Sequence, residues 1–247
     1  MALAFDTDDG FAGSAALGLI VLKTDETMEV ELREPFARAR LACYHARIPM
    51  HPTITPETLA EMARDLPATA ALLPDGTPFG AIGYGCTSGA TVIGPERVAE
   101  LVRMKHPHAN VTDPVSAVMA GLAALNVRRI GLLTPYLPEV TRAMQALLAA
   151  NGFEVARVGS FEEGEDRVVA RITEAATLAA MVEIGSDPDC EAVFASCTNL
   201  RTFGILDEAE RLIGKPVVSS NQALGWHMLR LAGVATHGLG PGQLFGC

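Results

Sequence analysis

Two short segments of the chain each contain a cysteine followed by a threonine, and the residues around the two cysteines are alike. Residues 81–88 read Ala-Ile-Gly-Tyr-Gly-Cys-Thr-Ser, and residues 192–199 read Ala-Val-Phe-Ala-Ser-Cys-Thr-Asn. A thiolate is a strong nucleophile and a competent base, and its pKa falls when backbone N–H groups or a helix N-terminus point at it. The repeated motif therefore predicts thiol chemistry, with Cys86 and Cys197 as the candidate catalytic residues.

The residues after each cysteine could hold an anionic group. Thr87 and Ser88 follow the first cysteine, and Thr198 and Asn199 follow the second. A turn from strand to helix at these points would offer hydroxyl, amide and backbone donors suited to a carboxylate or enolate oxygen. We therefore predict that these four residues bind substrate.

A structural role is the alternative for each cysteine, since free cysteine is among the most buried residue types. The repeated Cys-Thr context favours a functional pair.

Other motifs that carry chemistry are missing from the sequence. Residues 83–88 resemble a dinucleotide fingerprint except at the last position, where Ser88 replaces glycine, and no phosphate-binding GxxxxGK[ST] motif occurs. The six histidines show no HExxH or Cys/His ligand spacing, and a GxSxG nucleophile motif is missing too. We therefore predict that the protein binds no NAD, no ATP and no metal.

The elements that must position these residues follow an α/β pattern. Short apolar runs closed by Gly, Pro or Asp alternate with segments of helical period, which predicts parallel sheets flanked by helices. Thr55 before Pro56 indicates the start of one helix, and Pro138 indicates the start of another. The predicted strands are residues 17–22, 40–48, 79–83, 131–134, 153–158, 192–195 and 216–218.

The two halves of the sequence resemble each other. Gly18 opens one apolar run and Gly131 another, and their separation nearly equals that of the two cysteines. Two similar βα halves are therefore predicted. Both cysteines fall at the carboxyl end of a predicted strand, which is where open α/β sheets bind ligands. If the halves face one another, the two thiols lie on opposite sides of one cleft.

Charge and composition exclude several function classes. Among the 247 residues, 19 Lys and Arg against 29 Asp and Glu leave a formal charge of −10, which disfavours nucleic acid and anionic membranes as partners. No apolar run is long enough to span a bilayer, and the N-terminal segment carries acidic residues where a signal peptide is basic. We expect a cytoplasmic protein. Its five cysteines, an odd number without CxxC spacing, should be free thiols.

These motifs resemble the aspartate/glutamate racemase superfamily and, within it, the branch of maleate cis-trans isomerase and arylmalonate decarboxylase. The resemblance covers nearly the whole chain, and it is carried by residues 18–21 with 27–29, 85–89, 133–136, 196–199, and 219–222 with Trp226. It implies two Rossmann-like halves with the active site between them and no metal or organic cofactor. By this resemblance, residues 1–117 with 220–247 form the first half and residues 118–219 the second.

The resemblance also implies roles for particular residues. Two cysteines are more similar to the isomerases and racemases than to the decarboxylases, which have a single cysteine in the second half. Tyr136 matches a tyrosine that helps to hold a substrate carboxylate or enediolate, with a surface turn between prolines as the alternative.

Two positions depart from the pattern of the maleate isomerases. Asp25 stands where those enzymes have a substrate-contacting asparagine, and Arg167 is aligned with a second one. An aspartate would repel a dicarboxylate and suit a cationic group. In this respect the chain resembles the ectoine-utilisation proteins A, whose substrate would pair a carboxylate with a cyclic amidinium. Capping of the following helix is the alternative role for Asp25.

The sequence thus predicts a cofactor-independent isomerase or racemase of a small carboxylate. One cysteine would act as base or nucleophile and the other as its acid partner. The alternatives are an arylmalonate-type decarboxylase with Cys197 as proton donor, and a non-catalytic small-molecule-binding protein of the same fold. We expect a homo-oligomer, either a dimer or a dimer of dimers.

Overall fold

In the computed structural model, which describes residues 1–8, 10–13 and 15–247, the chain forms two four-stranded parallel sheets. The strands are β1 (Ala16–Leu22), β2 (Ala42–Ile48), β3 (Phe79–Gly85), β4 (Asn110–Thr112), β5 (Arg129–Thr134), β6 (Glu154–Ser160), β7 (Ala192–Ala195) and β8 (Val217–Ser219). The helices are α1 (Met28–Arg38), α2 (Pro56–Ala70), α3 (Thr87–Ile93), α4 (Pro95–Arg103), α5 (Pro114–Ala124), α6 (Pro138–Ala150), α7 (Asp166–Val169), α8 (Glu174–Gly185), α9 (Leu206–Ile213) and α10 (Ser220–Leu231).

The two sheets have the same topology. The first runs β2-β1-β3-β4 and the second β6-β5-β7-β8, with every pair of neighbours parallel. β1 therefore corresponds to β5, and β3 to β7. The internal repeat seen in the sequence is thus a repeat of structure, and the predicted α/β fold with two similar halves is confirmed.

The inner strands are the elements that the sequence predicts best. All residues of β1 and β7 are buried, because helices cover both faces of a parallel sheet and select apolar side chains. The edge strand β4 was missed, because it has only three residues and reads Asn-Val-Thr. The predicted strand at 40–48 begins two residues late in the structure, after Arg40 adopts a positive φ of 56°.

The two proline-led helices begin where the sequence predicts. The Thr55 hydroxyl accepts the backbone N–H of Thr58, and the Thr58 hydroxyl accepts that of Thr55, so α2 starts with a reciprocal capping box. α6 starts at Pro138 without a capping side chain, because Leu137 precedes it.

The opening glycines of the two halves are needed for close packing. A Cβ on Gly18 would lie 2.9 Å from Cδ1 of Leu73, and one on Gly131 would lie 2.3 Å from Cγ2 of Ile184. Each inner strand is therefore approached closely by side chains packed on its face.

Gly131→Ala is expected to destabilise the fold by about 1–3 kcal/mol, because a β-carbon would overpack the contact between β5 and Ile184 on α8. The measurement is the midpoint of urea unfolding. The matched control is Gly246→Ala, since nothing lies within 4 Å of a Cβ there. Equal midpoints for the wild type and Gly131→Ala would contradict this account of the packing.

The last helix returns to the first sheet. α10 packs against α5, α1 and β3, so the chain ends on the half in which it began. The division of the chain at residues 117 and 219 stays a prediction. Across residues 1–8, 10–13 and 15–247, no helix is long and apolar enough to cross a membrane.

Candidate active site

Both cysteines lie at the carboxyl ends of corresponding inner strands. Cys86 follows β3 directly, and Cys197 follows β7 after one intervening serine. Their exposed fractions are 2% and 5%, so neither thiol meets bulk solvent. The topology therefore places the two thiols at matching positions of the two halves.

Cys86 is held at the first turn of α3. Its Sγ accepts the backbone N–H of Gly89 at 3.2 Å and lies 3.7 Å from the Ser88 hydroxyl. Burial raises the pKa of Cys86 to about 12, against the effect of these two donors. The thiol is therefore neutral here, contrary to the expectation that the strand-to-helix turn would dominate its pKa, because desolvation outweighs the nearby N–H groups.

Cys197 has a strained backbone. Its φ of +120° lies in the region that L-residues seldom adopt, and such strain is typical of functional sites. The Cys197 N–H donates to the Ser220 hydroxyl at 3.0 Å, and its Sγ accepts the N–H of Asn199 at 3.4 Å. Burial also raises the pKa of this thiol, with the charge of Asp166 acting in the same direction.

Ser220 joins the two cysteine motifs. Its Oγ accepts the Thr87 hydroxyl at 2.8 Å and the Cys197 N–H at 3.0 Å. The residue after the first cysteine and the backbone of the second thus meet at one oxygen atom. The two strand ends therefore meet at this oxygen, and the cleft between the halves stays a prediction.

Tyr136 lies in this site. It follows β5, is 1% exposed, and lies beside Cys197. Its pKa is raised well above the ordinary value, because it is buried and faces both Cys197 and Cys86. The alternative of a surface turn is excluded by this burial.

The two oxygens of Asp25 have different surroundings. Oδ1 accepts the backbone N–H groups of Thr27 and Met28, both at 2.8 Å, and so caps α1. Oδ2 is buried and makes no hydrogen bond within the described residues, although the Thr198 hydroxyl lies nearby. Burial raises the pKa of Asp25 to about 6. The capping role and the role facing the site therefore belong to separate oxygens of one carboxyl group.

Arg167 is not brought into the buried site, and its contact with substrate stays a prediction. Arg167 lies on the outer face of the short helix α7 and is exposed, whereas its neighbour Asp166 is 2% exposed. The Asp166 side chain accepts the Thr24 hydroxyl, and its negative charge raises the pKa of both Cys86 and Cys197. The group at the site is thus an acid, one residue earlier in the chain.

The side chain of Asn199 is hydrogen-bonded to other residues of the protein. Its Oδ1 accepts the backbone N–H of Glu26 at 2.9 Å, and its Nδ2 donates to the backbone oxygen of Asp166 at 3.1 Å. Its side chain therefore braces the two halves. Of the four residues that follow the cysteines, Thr87, Ser88 and Thr198 are also buried at the site.

Two loops from opposite halves pair with each other next to Asp166. The loop after β2 and the loop after β6 pair through Ile54 N–H to Gly164 O at 2.9 Å and Asp166 N–H to Pro52 O at 3.2 Å. The Thr53 hydroxyl also donates to the Glu165 carboxylate at 2.9 Å. Because β2 and β6 correspond, this contact follows the internal symmetry.

Within residues 1–8, 10–13 and 15–247, the structure contains no group of three or more His, Cys, Asp or Glu side chains placed to hold a metal ion.

Comparison with known proteins identifies the family. The sequence profile described as arylmalonate decarboxylase matches residues 65–245. The maleate isomerase of Nocardia farcinica is 27% identical over 242 residues, which cover 94% of this chain and 96% of that protein. The arylmalonate decarboxylase of Bordetella bronchiseptica is 35% identical over 136 residues, or 54% of this chain and 57% of that protein.

A solved structure shows the same fold together with a reaction intermediate. It is a cysteine-to-serine mutant of the Nocardia farcinica maleate cis-trans isomerase with a covalently bound succinylcysteine intermediate. It matches with a TM-score of 0.84 and 25% identity, over 94% of this chain and 98% of that one. The predicted branch and the prediction of a cysteine-based enzyme are confirmed. The narrower resemblance to ectoine-utilisation proteins stays a prediction. With its two buried cysteines at corresponding strand ends, the chain belongs to the arylmalonate decarboxylase family.

Proposed function

We propose that this enzyme is a cofactor-independent isomerase or racemase of a small carboxylate, with Cys86 and Cys197 as its catalytic pair. The observation that carries the proposal is the meeting of both cysteine motifs at Ser220, which puts two buried thiols in one site. A single thiol could protonate a carbanion, but a pair can serve both faces of a substrate carbon.

The substrate carboxylate would bind where the first turn of α3 offers free donors. The backbone N–H groups of Thr87 and Ser88 have no acceptor within their own helix, because they precede its first hydrogen bond. Negative charge that develops on the carboxylate as an enediolate forms would be stabilised by the same groups. Tyr136, which faces both thiols, would hold the other side of this group.

Two reaction courses fit a thiol pair. In a racemase, one thiolate removes a proton from the substrate carbon and the other thiol returns a proton to the opposite face. In a cis-trans isomerase, a thiolate adds to the alkene, the new single bond rotates, and the thiolate leaves. The succinylcysteine intermediate of the Nocardia farcinica enzyme supports the second course in that protein.

Decarboxylation is the second candidate, and the 35% identity to the Bordetella bronchiseptica enzyme favours it. In that reaction Cys197 would protonate the carbanion left after CO₂ departs. The second buried cysteine at Cys86 supports the isomerase or racemase instead.

The acidic residues support a particular substrate class. The unpartnered Oδ2 of Asp25 and the buried carboxyl of Asp166 give one side of the site a negative character. We propose a substrate that pairs its carboxylate with an ammonium, amidinium or other N–H donor, such as an ectoine-type amidine. A homo-oligomeric assembly and a cytoplasmic location belong to the same proposal.

The test is proton NMR in deuterium oxide with four substrate classes: amino acids, ectoine-type amidines, maleate and arylmalonates. We expect deuterium to replace the α-proton of a compound that carries both a carboxylate and a cationic group. Conversion of maleate to its trans isomer without such exchange would favour the covalent course. Product formation from arylmalonates alone would favour the decarboxylase, and no reaction in any class would contradict the proposal.

A further inference from the structure

Glu31 on α1 is surrounded by hydrogen-bond donors from the loop after Cys197 and from α10. Its Oε1 accepts the backbone N–H groups of Thr202 at 2.6 Å and Phe203 at 2.9 Å. Its Oε2 accepts the side-chain amide of Asn221 at 2.7 Å. Each of these partners can only donate through the atom it presents, so the site fits a carboxylate and links α1 to the loop that follows Cys197.

Asn221 connects Glu31 to Thr198, the residue after the second cysteine. One N–H of its Nδ2 goes to Glu31, and the other goes to the backbone oxygen of Thr198 at 2.8 Å. Its Oδ1 is buried and has no hydrogen-bond partner among the described residues. If the amide were flipped, its oxygen would face the Glu31 carboxylate and the Thr198 carbonyl together. Glu31 therefore fixes the direction in which Asn221 donates.

The first turn of α10 holds the peptide on both sides of Cys197. Ser220 accepts the Cys197 N–H, and Asn221, the next residue, donates to the carbonyl of Thr198. A residue with φ of +120° keeps this conformation only when its surroundings impose it. The Asn199 N–H reaches the Cys197 sulfur only while the backbone at Cys197 keeps this conformation.

We propose that Glu31 is a positioning residue that acts through Asn221 to hold the Cys197 loop in its reactive geometry. This inference rests on the proposed role of Cys197 and assigns a function to the polar start of α10. Among the described residues, Glu31 itself makes no hydrogen bond to either thiol.

Glu31→Gln is a selective test. Its remaining oxygen can still accept from Thr202 and Phe203, but its new amide faces the amide of Asn221 donor to donor. Asn221→Ala breaks the same link from the other side. The control is Glu34→Gln, on the same helix but exposed and paired with Arg38.

The first readout is the rate of Cys197 alkylation by iodoacetamide at fixed pH, measured by mass spectrometry with the exposed Cys247 as internal reference. We expect both variants to lower this rate about tenfold, because the N–H contact that lowers the pKa of Cys197 is lost, and a rise of about one pKa unit leaves about a tenth of the thiolate. Tyr136, Asp25 and Asp166, which face this thiol, are unchanged in both variants. With the substrate that the proton NMR experiment identifies, both variants should show a kcat about 10- to 100-fold lower than wild type and a KM that is little changed.

The double variant decides whether the two residues act as one unit. Because one link is broken in each case, Glu31→Gln with Asn221→Ala should lose no more than either single variant. Additive losses, or a Cys197 alkylation rate within about twofold of wild type, which corresponds to a pKa change of only about 0.3 units, would overturn the inference. The alkylation readout needs no substrate, so failure of the proposed function would appear separately, as wild-type enzyme without turnover.

Discussion

Turnover is expected to fall by about 10³-fold or more when either Cys86 or Cys197 is replaced by serine. The serine hydroxyl has nearly the shape of the thiol, but it is far less acidic and less nucleophilic. Burial already raises the pKa of both thiols. A serine hydroxyl at either position would be harder still to deprotonate, so it would not replace the thiolate. The measurement is kcat/KM on the substrate identified in deuterium oxide, together with the melting temperature.

The matched control for this experiment is Cys190→Ser. Cys190 is also buried, but it lies before β7 rather than after it, at the opposite end of the strand from Cys197. We expect it to keep wild-type turnover. A Cys86→Ser or Cys197→Ser variant that retains turnover within about threefold of wild type would show that its cysteine is a bystander, because that is less than 1 kcal/mol of activation free energy.

The two cysteine variants also distinguish the reaction courses. In a two-base racemase, each variant should lose exchange of the proton on one face of the substrate, because each thiol serves one face. In covalent isomerisation, only the variant that lacks the nucleophile should fail to form an adduct. Trapping with substrate followed by intact-mass spectrometry separates these outcomes.

The sequence predicts those parts of the site that are set by local pattern. Cys86 and Cys197 lie at strand ends because each follows a short apolar run, and the parallel topology then carries them to the same edge of their sheets. The repeated Cys-Thr motif also indicated the two-half fold. These inferences need only residue types and their order.

Contacts between distant segments could not be predicted in this way. Ser220 joins the two motifs through hydrogen bonds to residues that lie 133 and 23 positions away in the sequence. Asp166 was not predicted, because α7 has only four residues, too few for a helical period to show which side faces inward. The resemblance marked the start of α10 as characteristic, but only the structure shows its contact with the Cys197 loop.

Asp25 is expected to weaken the binding of dicarboxylates. Its Oδ2 is buried and has no hydrogen-bond partner in the part of the chain that the structure describes, and Asp166 adds a second negative group at the same site. Asp25→Asn would remove one like-charge contact while its side-chain oxygen still caps α1. We therefore expect maleate to bind the variant more tightly by about 1–2 kcal/mol at pH 8, measured by calorimetry. The control is Glu26→Gln, which removes an exposed charge paired with Arg171.

The pH dependence of this difference tests its electrostatic cause. The pKa of Asp25 is raised to about 6, so the carboxyl is ionised at pH 8 and protonated at pH 5. The advantage of Asp25→Asn over wild type should therefore shrink as the pH falls through 6. Maleate ionises equally in both titrations, so the ratio of the two affinities isolates Asp25. If the ratio stays at one throughout, Oδ2 repels no ligand carboxylate, and dicarboxylates of the maleate type become the leading substrates.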